Sequence, residues 1–270
     1  MTEYLYHYTS VETLEKILGN RNFRFSSLST VDDMYEGTTK DFGNFGRFVY
    51  VSCWTDNPNE TSSLWSEYTR KKGVRIKLPK NIFPTVMEIP NLPYQMQKDI
   101  EKFSNAPKFP YTKGIKELER EKGVVMMPRE IELFPITYTE DPLLLSLSVF
   151  SGEDGHIKLD QQFVGRFKSK SVWEHQSEWR YKMFAMPFSV EEFQQYSSDN
   201  SLYDRIMELQ YTDAIPFDFA DLPVDEEKFK DMEIVTSSLL DDQELRRVDE
   251  LVQKYCPTAE IRKSSILLRK

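Results

Sequence analysis

The sequence predicts an α+β fold, and three observations carry that expectation. Strand-like segments come in runs separated by helices of unequal length, without the steady β-α alternation of a doubly wound sheet. Of the 270 residues, 39% are hydrophobic, 13% aromatic and 29% charged, the composition of a globular chain. No internal repeat or low-complexity tract breaks the pattern, so residues 1–270 read as one domain. A chain this long buries roughly 75% of its unfolded surface, enough to hold a core without disulfides or metal.

The elements follow in order. Tyr4–Tyr8 is rich in β-favouring aromatics, and Ser10 caps a helix with Leu14, Ile17 and Leu18 on one face, stopped at Gly19-Asn20. Phe23–Ser26 is extended, and Ser26–Gly37 is a polar loop. Phe48–Trp54 is the clearest early strand; a Thr-Asp-Asn-Pro-Asn turn follows it. Ser62 or Ser63 then caps a short helix with Leu64, Trp65 and Tyr68 on one face. Val74–Leu78 alternates apolar residues with Arg75 and Lys77, as a half-buried strand does.

Residues 80–128 are proline-rich, with polar helical stretches around Gln95–Ser104 and Lys113–Lys122, and read as a helical insertion or lid. Glu130–Tyr138 and Ser171–Met186 return to β character, and Ser189 with Glu192 makes a capping box. Residues 225–270 form a C-terminal β-α-β extension: strand Glu233–Ser237, helix Asp241–Tyr255 with Asp241 and Glu244 as reciprocal caps, and strand Glu260–Ile266.

Several function classes lose ground at once. The net charge of −9 argues against nucleic-acid binding through overall charge. One basic strip, Arg70-Lys71-Lys72 with Arg75, Lys77 and Lys80, could track a phosphate backbone or guard a strand edge. Apolar runs such as Leu143–Leu145 and Ile266–Leu268 are far below the roughly 20 residues of a membrane span. With two cysteines, Cys53 and Cys256, and no basic-then-apolar leader, a cytoplasmic protein is expected. No two of His7, His156 and His175 lie at helix-face spacing, so no zinc site is expected. The loop Asp32-Asp33-Met34-Tyr35-Glu36-Gly37 could hold Mg²⁺ or simply cap a loop, and it lacks the ligand spacing of an EF-hand.

The densest feature is Trp173 to Lys182. As a strand it places Glu174, Gln176, Glu178, Arg180 and Lys182 on one face, and Trp173, His175, Ser177, Trp179 and Tyr181 on the other. The charged face could bind a ribose or orient a nucleophile, or it could be a solvent-facing charge ladder. In Tyr6-His7-Tyr8-Thr9-Ser10, a strand histidine beside hydroxyl groups could hold a sugar or pack as a structural residue. Trp65 and Tyr68 offer flat surfaces for stacking or for the core.

These pieces in this order resemble a large group of mainly bacterial proteins carried as a domain of unknown function. The residues that carry the likeness are Leu5–Ser10, Arg24-Phe25-Ser26, Asp33 with Glu36, and Ser52-Cys53-Trp54-Thr55. Leu64-Trp65-Ser66-Glu67-Tyr68 and Trp173 with Glu178-Trp179-Arg180 complete the set. Asp32, Met34 and Gln176 depart from it, standing where the pattern has Asn, Pro and Glu. That group in turn is similar to ADP-ribosyltransferase-like enzymes of the His-Tyr-Glu type.

The resemblance implies a split β-sheet core and NAD as co-substrate. It assigns His7, Tyr68 and Glu178 as catalytic, and His7, Tyr8, Thr9, Arg24, Ser52 and Tyr68 as NAD-binding. Gln176 and Arg180 would position the acceptor, a protein or nucleic acid, with segment 151–172 facing it. Cleavage of the nicotinamide–ribose bond passes through an oxocarbenium-like state. Glu178 would stabilise that charge, His7 would orient a ribose hydroxyl, Tyr68 would stack on nicotinamide, and Arg24 would meet the pyrophosphate. A toxin or phage-defence effector is the expected setting. Two rivals stand beside it: a metal-dependent nuclease built on Asp160, Glu178 and Lys182, and a non-catalytic module binding through its tryptophan-rich surfaces.

Overall fold

A computed structural model describes residues 3–88, 109–125, 131–153 and 156–269. Its centre is a mixed sheet of ten strands. They are β1 (Tyr4–Thr9), β2 (Asn22–Ser27), β3 (Val49–Thr55), β4 (Val74–Pro79), β5 (Val124–Val125), β6 (Glu132–Pro135), β7 (Glu178–Met186), β8 (Phe219–Pro223), β9 (Glu233–Thr236) and β10 (Glu260–Lys263). The order β6-β7-β3-β1-β4-β9-β10 is antiparallel except for β9 and β10. That last pair is parallel because a helix, Asp242–Tyr255, crosses over between its strands, the expected C-terminal β-α-β element. The α+β expectation therefore holds.

One edge of β3 is shared by two strands, and this forks the sheet. Along its other edge β3 pairs with β7 from Val49↔Phe184 to Thr55↔Glu178. On the shared edge β2 takes Tyr50 and Val51, while β1 meets β3 at Thr55 alone, opposite Tyr6. Ser52, Cys53 and Trp54 lie between the prongs. Helix α1 (Val11–Asn20) joins them, started by Ser10, whose Oγ accepts from Thr13 N at 3.1 Å. It buries Val11, Leu14, Ile17 and Leu18, and it ends one residue beyond the Gly19-Asn20 signal, at Arg21 in the left-handed conformation (φ 54°). The main core lies beneath it, with Leu5, Phe23, Trp54, Ile76, Tyr181, Met183 and Ile234.

Helix α2 (Ser62–Thr69) covers the opposite face of β1, where Leu64 and Trp65 pack on Tyr8. Its cap is Thr61, not Ser62 or Ser63: the Thr61 Oγ1 accepts from Leu64 N at 3.3 Å. Of the two polar stretches in 80–128, Lys113–Lys122 contains a helix, Ile115–Lys122, whose Ile115 enters the main core. Gln95–Ser104 lies outside the described residues.

Three expectations are corrected. Residues 173–177 are not extended: Lys170–Trp173 is a helical turn, Glu174–Gln176 a 3-10 turn, and Ser177 sits at φ 45° before β7 begins. Strand alternation therefore sorts only the residues from Glu178 onward. There the charged face is no solvent ladder, because Glu178, Arg180 and Lys182 are all buried. Val74–Leu78 is likewise not half-buried, since β4 lies between β1 and β9 and Arg75 is 1% exposed. Its guanidinium rests 3.9 Å over the Tyr6 ring.

Candidate functional site

The fork opens a cleft of about 400 Å³. His7 from β1, Arg24 from β2, Ser52 and Cys53 from β3, and Tyr68 from α2 line it. Where the ladder between β1 and β3 is missing, the His7 side chain supplies a bond: its Nδ1 lies 2.9 Å from the Cys53 carbonyl oxygen. A carbonyl only accepts, so Nδ1 carries the proton. Burial pushes the imidazole below its ordinary value, with the Cys53 carbonyl working weakly against it. The ring is therefore neutral, and Nε2 keeps a lone pair for a donor such as a sugar hydroxyl. Trp54 and Phe23 hold the ring, at 5.0 and 5.6 Å between centroids.

Strand alternation separates His7 from its neighbours. Tyr8 turns to the opposite face, edge-on to Trp65 at 5.0 Å, and neither Tyr8 nor Thr9 is among the cleft walls. Ser52 does line the cleft, with its Oγ accepting from Trp54 Nε1 at 3.1 Å. Arg24 lies at the rim, its fork occupied: Nε and Nη2 each donate to Asp221 at 2.9 Å, and the guanidinium stacks 3.4 Å over Phe219. Tyr68 is 38% exposed. Its hydroxyl is pushed well above the ordinary value by loss of solvent and by Glu178 and Cys53 nearby.

Glu178 stands behind Cys53, in a shell of its own and 3% exposed. Its Oε1 accepts from Arg180 Nε at 2.6 Å, and its Oε2 from Lys168 Nζ at 3.0 Å and Arg180 Nη2 at 3.2 Å. Arg180 turns its outer edge to Glu36, with Nη2 donating to Oε2 at 2.9 Å and Nη1 to Oε1. Two carboxylates and two cations thus balance in the interior. Burial opposes the charge on Glu178, but Arg180 and Lys168 outweigh it and hold the carboxyl at about 2. Burial pushes Glu36 upward, with Arg180 and then Lys168 working against it. Cys53 is pushed up as well, first by burial and then by Glu178.

Gln176 links this shell to α2. Its Oε1 accepts from Lys168 Nζ at 3.0 Å, and its Nε2 donates to Glu67 Oε2 at 3.0 Å, one residue before Tyr68. Glu67 Oε1 lies 2.7 Å from His175 Nε2, at the surface. Gln176 and Arg180 are 3% and 1% exposed; Arg180 spends its donors on Glu178, Glu36 and the Gly165 carbonyl, while Gln176 lines a small pocket beside Cys53 and Tyr68.

Sequence reasoning missed Lys168, Glu36 as a partner of Arg180, and Tyr138. Lys168 and Tyr138 are register partners in a small parallel pair, Thr137–Thr139 with Phe167–Ser169. Both reach Glu178, Tyr138 through its hydroxyl oxygen, which accepts from Glu178 N at 2.7 Å. Lys168 belongs to segment 151–172, but nothing in the spacing marks it, since it meets Glu178 across a helical turn.

The nuclease reading finds no convergent site. Asp160 bonds Ser151 Oγ at 2.6 Å, while Lys182 donates to the carbonyl of Gln162 at 2.7 Å and pairs with Glu132 at 3.3 Å. Glu36 turns inward from the acidic loop. Among the described residues no group of three or more His, Cys, Asp or Glu side chains converges as a metal site, and no helix is long and apolar enough to cross a membrane.

The Glu178 carboxyl makes acid stability an expected readout. Its folded value, about 2, lies below the ordinary 4.5. The unfolded chain therefore binds the proton first, and the contribution is full above pH 4.5 and lost as pH falls toward 2. By urea unfolding, the advantage of the wild type over Glu178→Gln is expected to shrink by about 3 kcal/mol across that window. An advantage that stays constant with pH would contradict the assignment.

No family model, curated protein or solved structure matches the chain.

Proposed function

We propose that the cleft at the fork binds NAD and that the protein transfers ADP-ribose from it to a macromolecular acceptor, or to water. The observation that carries this reading is the convergence of His7 and Tyr68 on one cleft whose wall, Cys53, separates it from Glu178. Nothing in composition requires that convergence, and the resemblance assigns those three residues together. His7 Nε2 accepts a ribose hydroxyl, and the Tyr68 ring stacks on nicotinamide. Glu178 stabilises the positive charge that grows on the sugar as the glycosidic bond breaks. Arg24 meets the pyrophosphate by exchanging Asp221 for phosphate oxygens. Ser52 lines the cleft, Tyr8 supports β1 from its other face, and Thr9 follows His7 on the same face of β1, beyond the cleft walls. Gln176, bonded to Lys168 and to Glu67 beside Tyr68, and Arg180, through Glu178, position the acceptor.

The test is nicotinamide release from NAD by the purified protein, with and without cell lysate. Release without lysate marks a hydrolase, and release that needs lysate marks a transferase. Absence of both release and NAD binding would sink the reading. The further proposal of a cytoplasmic toxin or phage-defence effector rests on the resemblance, and expression that leaves growth untouched under several stresses would count against it.

A further inference from the structure

Glu178 carries both a guanidinium and an ammonium, and a carboxylate so neutralised adds little to a developing cation nearby. Action on a ligand in the cleft requires the shell to open. One part of that shell is fastened by a single side chain. The Glu36 side chain is fully buried on Arg180. Among the described residues, every other hydrogen bond made by residues 32–36 runs to a residue between 33 and 38. Met34 and Tyr35 are 86% and 79% exposed, so no packing holds the tip.

The ends of this segment are fixed. Ser27 Oγ accepts from Ser29 N at 3.3 Å and starts the 3-10 turn Leu28–Thr30. At the other end Gly46 N donates to Gly37 O at 2.7 Å. The two backbones lie so close that a Cβ on Gly46 would stand 2.6 Å from Gly37 Cα. Fixed ends with a tip held by one buried ion pair have the form of a hinged strap. Thr30 and Val31, where it begins, line the cleft.

We propose that residues 32–36 form a strap latched on Arg180 by Glu36, and that its release opens the shell around Glu178, whose wall toward the cleft is Cys53. As regulation of the site this rests on the NAD reading; as a mechanical latch it does not.

Alkylation of the native protein by iodoacetamide, followed at each cysteine by peptide mass spectrometry and without NAD, tests it. Cys53 is half-buried and lines the cleft, but its thiol faces Glu178 and is held protonated and unreactive, whereas Cys256, 3% exposed in the main core, reports opening of the whole fold. Because Glu36→Gln also removes one of the charges that hold the thiol protonated, rates are compared per thiolate from their pH dependence; so compared, modification of Cys53 is expected to rise about tenfold or more with Cys256 unchanged. An unchanged Cys53 rate overturns the latch, and so does a parallel rise at both cysteines.

If Glu36→Gln does not fold, the wild type carries the test through urea. Release of a short strap exposes little surface, so labelling of Cys53 is expected to stay nearly flat at low urea while that of Cys256 climbs. Equal slopes overturn the proposal. Labelling as expected with no nicotinamide release sinks the NAD reading alone, and release with labelling unmoved sinks the latch alone.

Discussion

Replacement of Arg180 by methionine is expected to cost about 3–5 kcal/mol of stability, read as a lower urea midpoint. The Arg180 side chain has five N–H donors, and all five are used: two on Glu178, two on Glu36, and one on the Gly165 carbonyl at 3.1 Å. Methionine fills a similar volume and leaves both carboxylates facing one remaining cation, Lys168. Glu178 keeps that partner, whereas Glu36 loses its own and must take up a proton or move out to water.

Arg180→Lys should recover only part of the loss, because an ammonium has three donors on a point charge and cannot span two carboxylates. Removing Glu36 together with the arginine, as Glu36→Gln and Arg180→Met in one chain, should cost less than Arg180→Met alone, because Glu178 and Lys168 remain as a balanced pair. The penalty is that of unpaired buried charge, not of the missing bonds. A midpoint for Arg180→Met equal to that of the wild type would mean that the carboxylates have access to water, contrary to the burial of the cluster.

The second large effect concerns activity. Glu178→Gln is expected to lower nicotinamide release at saturating NAD on the order of 10²–10³-fold, with a much smaller change in KM. Glutamine keeps the shape of the side chain and an acceptor for Lys168, but it removes the negative charge that the oxocarbenium-like state requires. His7→Ala should show the opposite split, raising KM more than it lowers kcat, because a neutral imidazole accepting a sugar hydroxyl acts on bound substrate and transition state alike. Thermal melts must show both variants folded at the assay temperature. A Glu178→Gln rate within twofold of the wild type would remove Glu178 from the chemistry.

Local signals decided much of the fold. Ser10, Ser189 and Asp241 each cap a helix as their sequences imply, and the last two close reciprocal boxes with Glu192 and Glu244. Apolar spacing gave α1 and the last helix their buried stripes. Local signals misled where distant parts of the chain set the environment. Arg75 reads as an exposed strand position, yet β9, more than 150 residues further on, pairs over it. Glu174, His175 and Gln176 read as strand because they precede one, but a tight turn with Ser177 in the left-handed region forms there instead.

The site divides along the same line. The residue types at His7, Tyr68 and Glu178 were visible, because strand and helix periods and the family-like motifs are properties of neighbouring residues. That His7 and Tyr68 line one cleft was not, since the cleft exists only because β1 and β2 compete for one edge of β3. Nor was the pairing of Glu178 with Lys168 and of Arg180 with Glu36, residues 10 and 144 positions apart. A buried charge must find its counter-ion wherever the packed chain brings one within reach, and sequence spacing holds no record of that distance. The sequence alone determined an acidic α+β chain with its capped helices and its strands. The forked sheet, the sealed carboxylate and the strap across it were decided by tertiary packing.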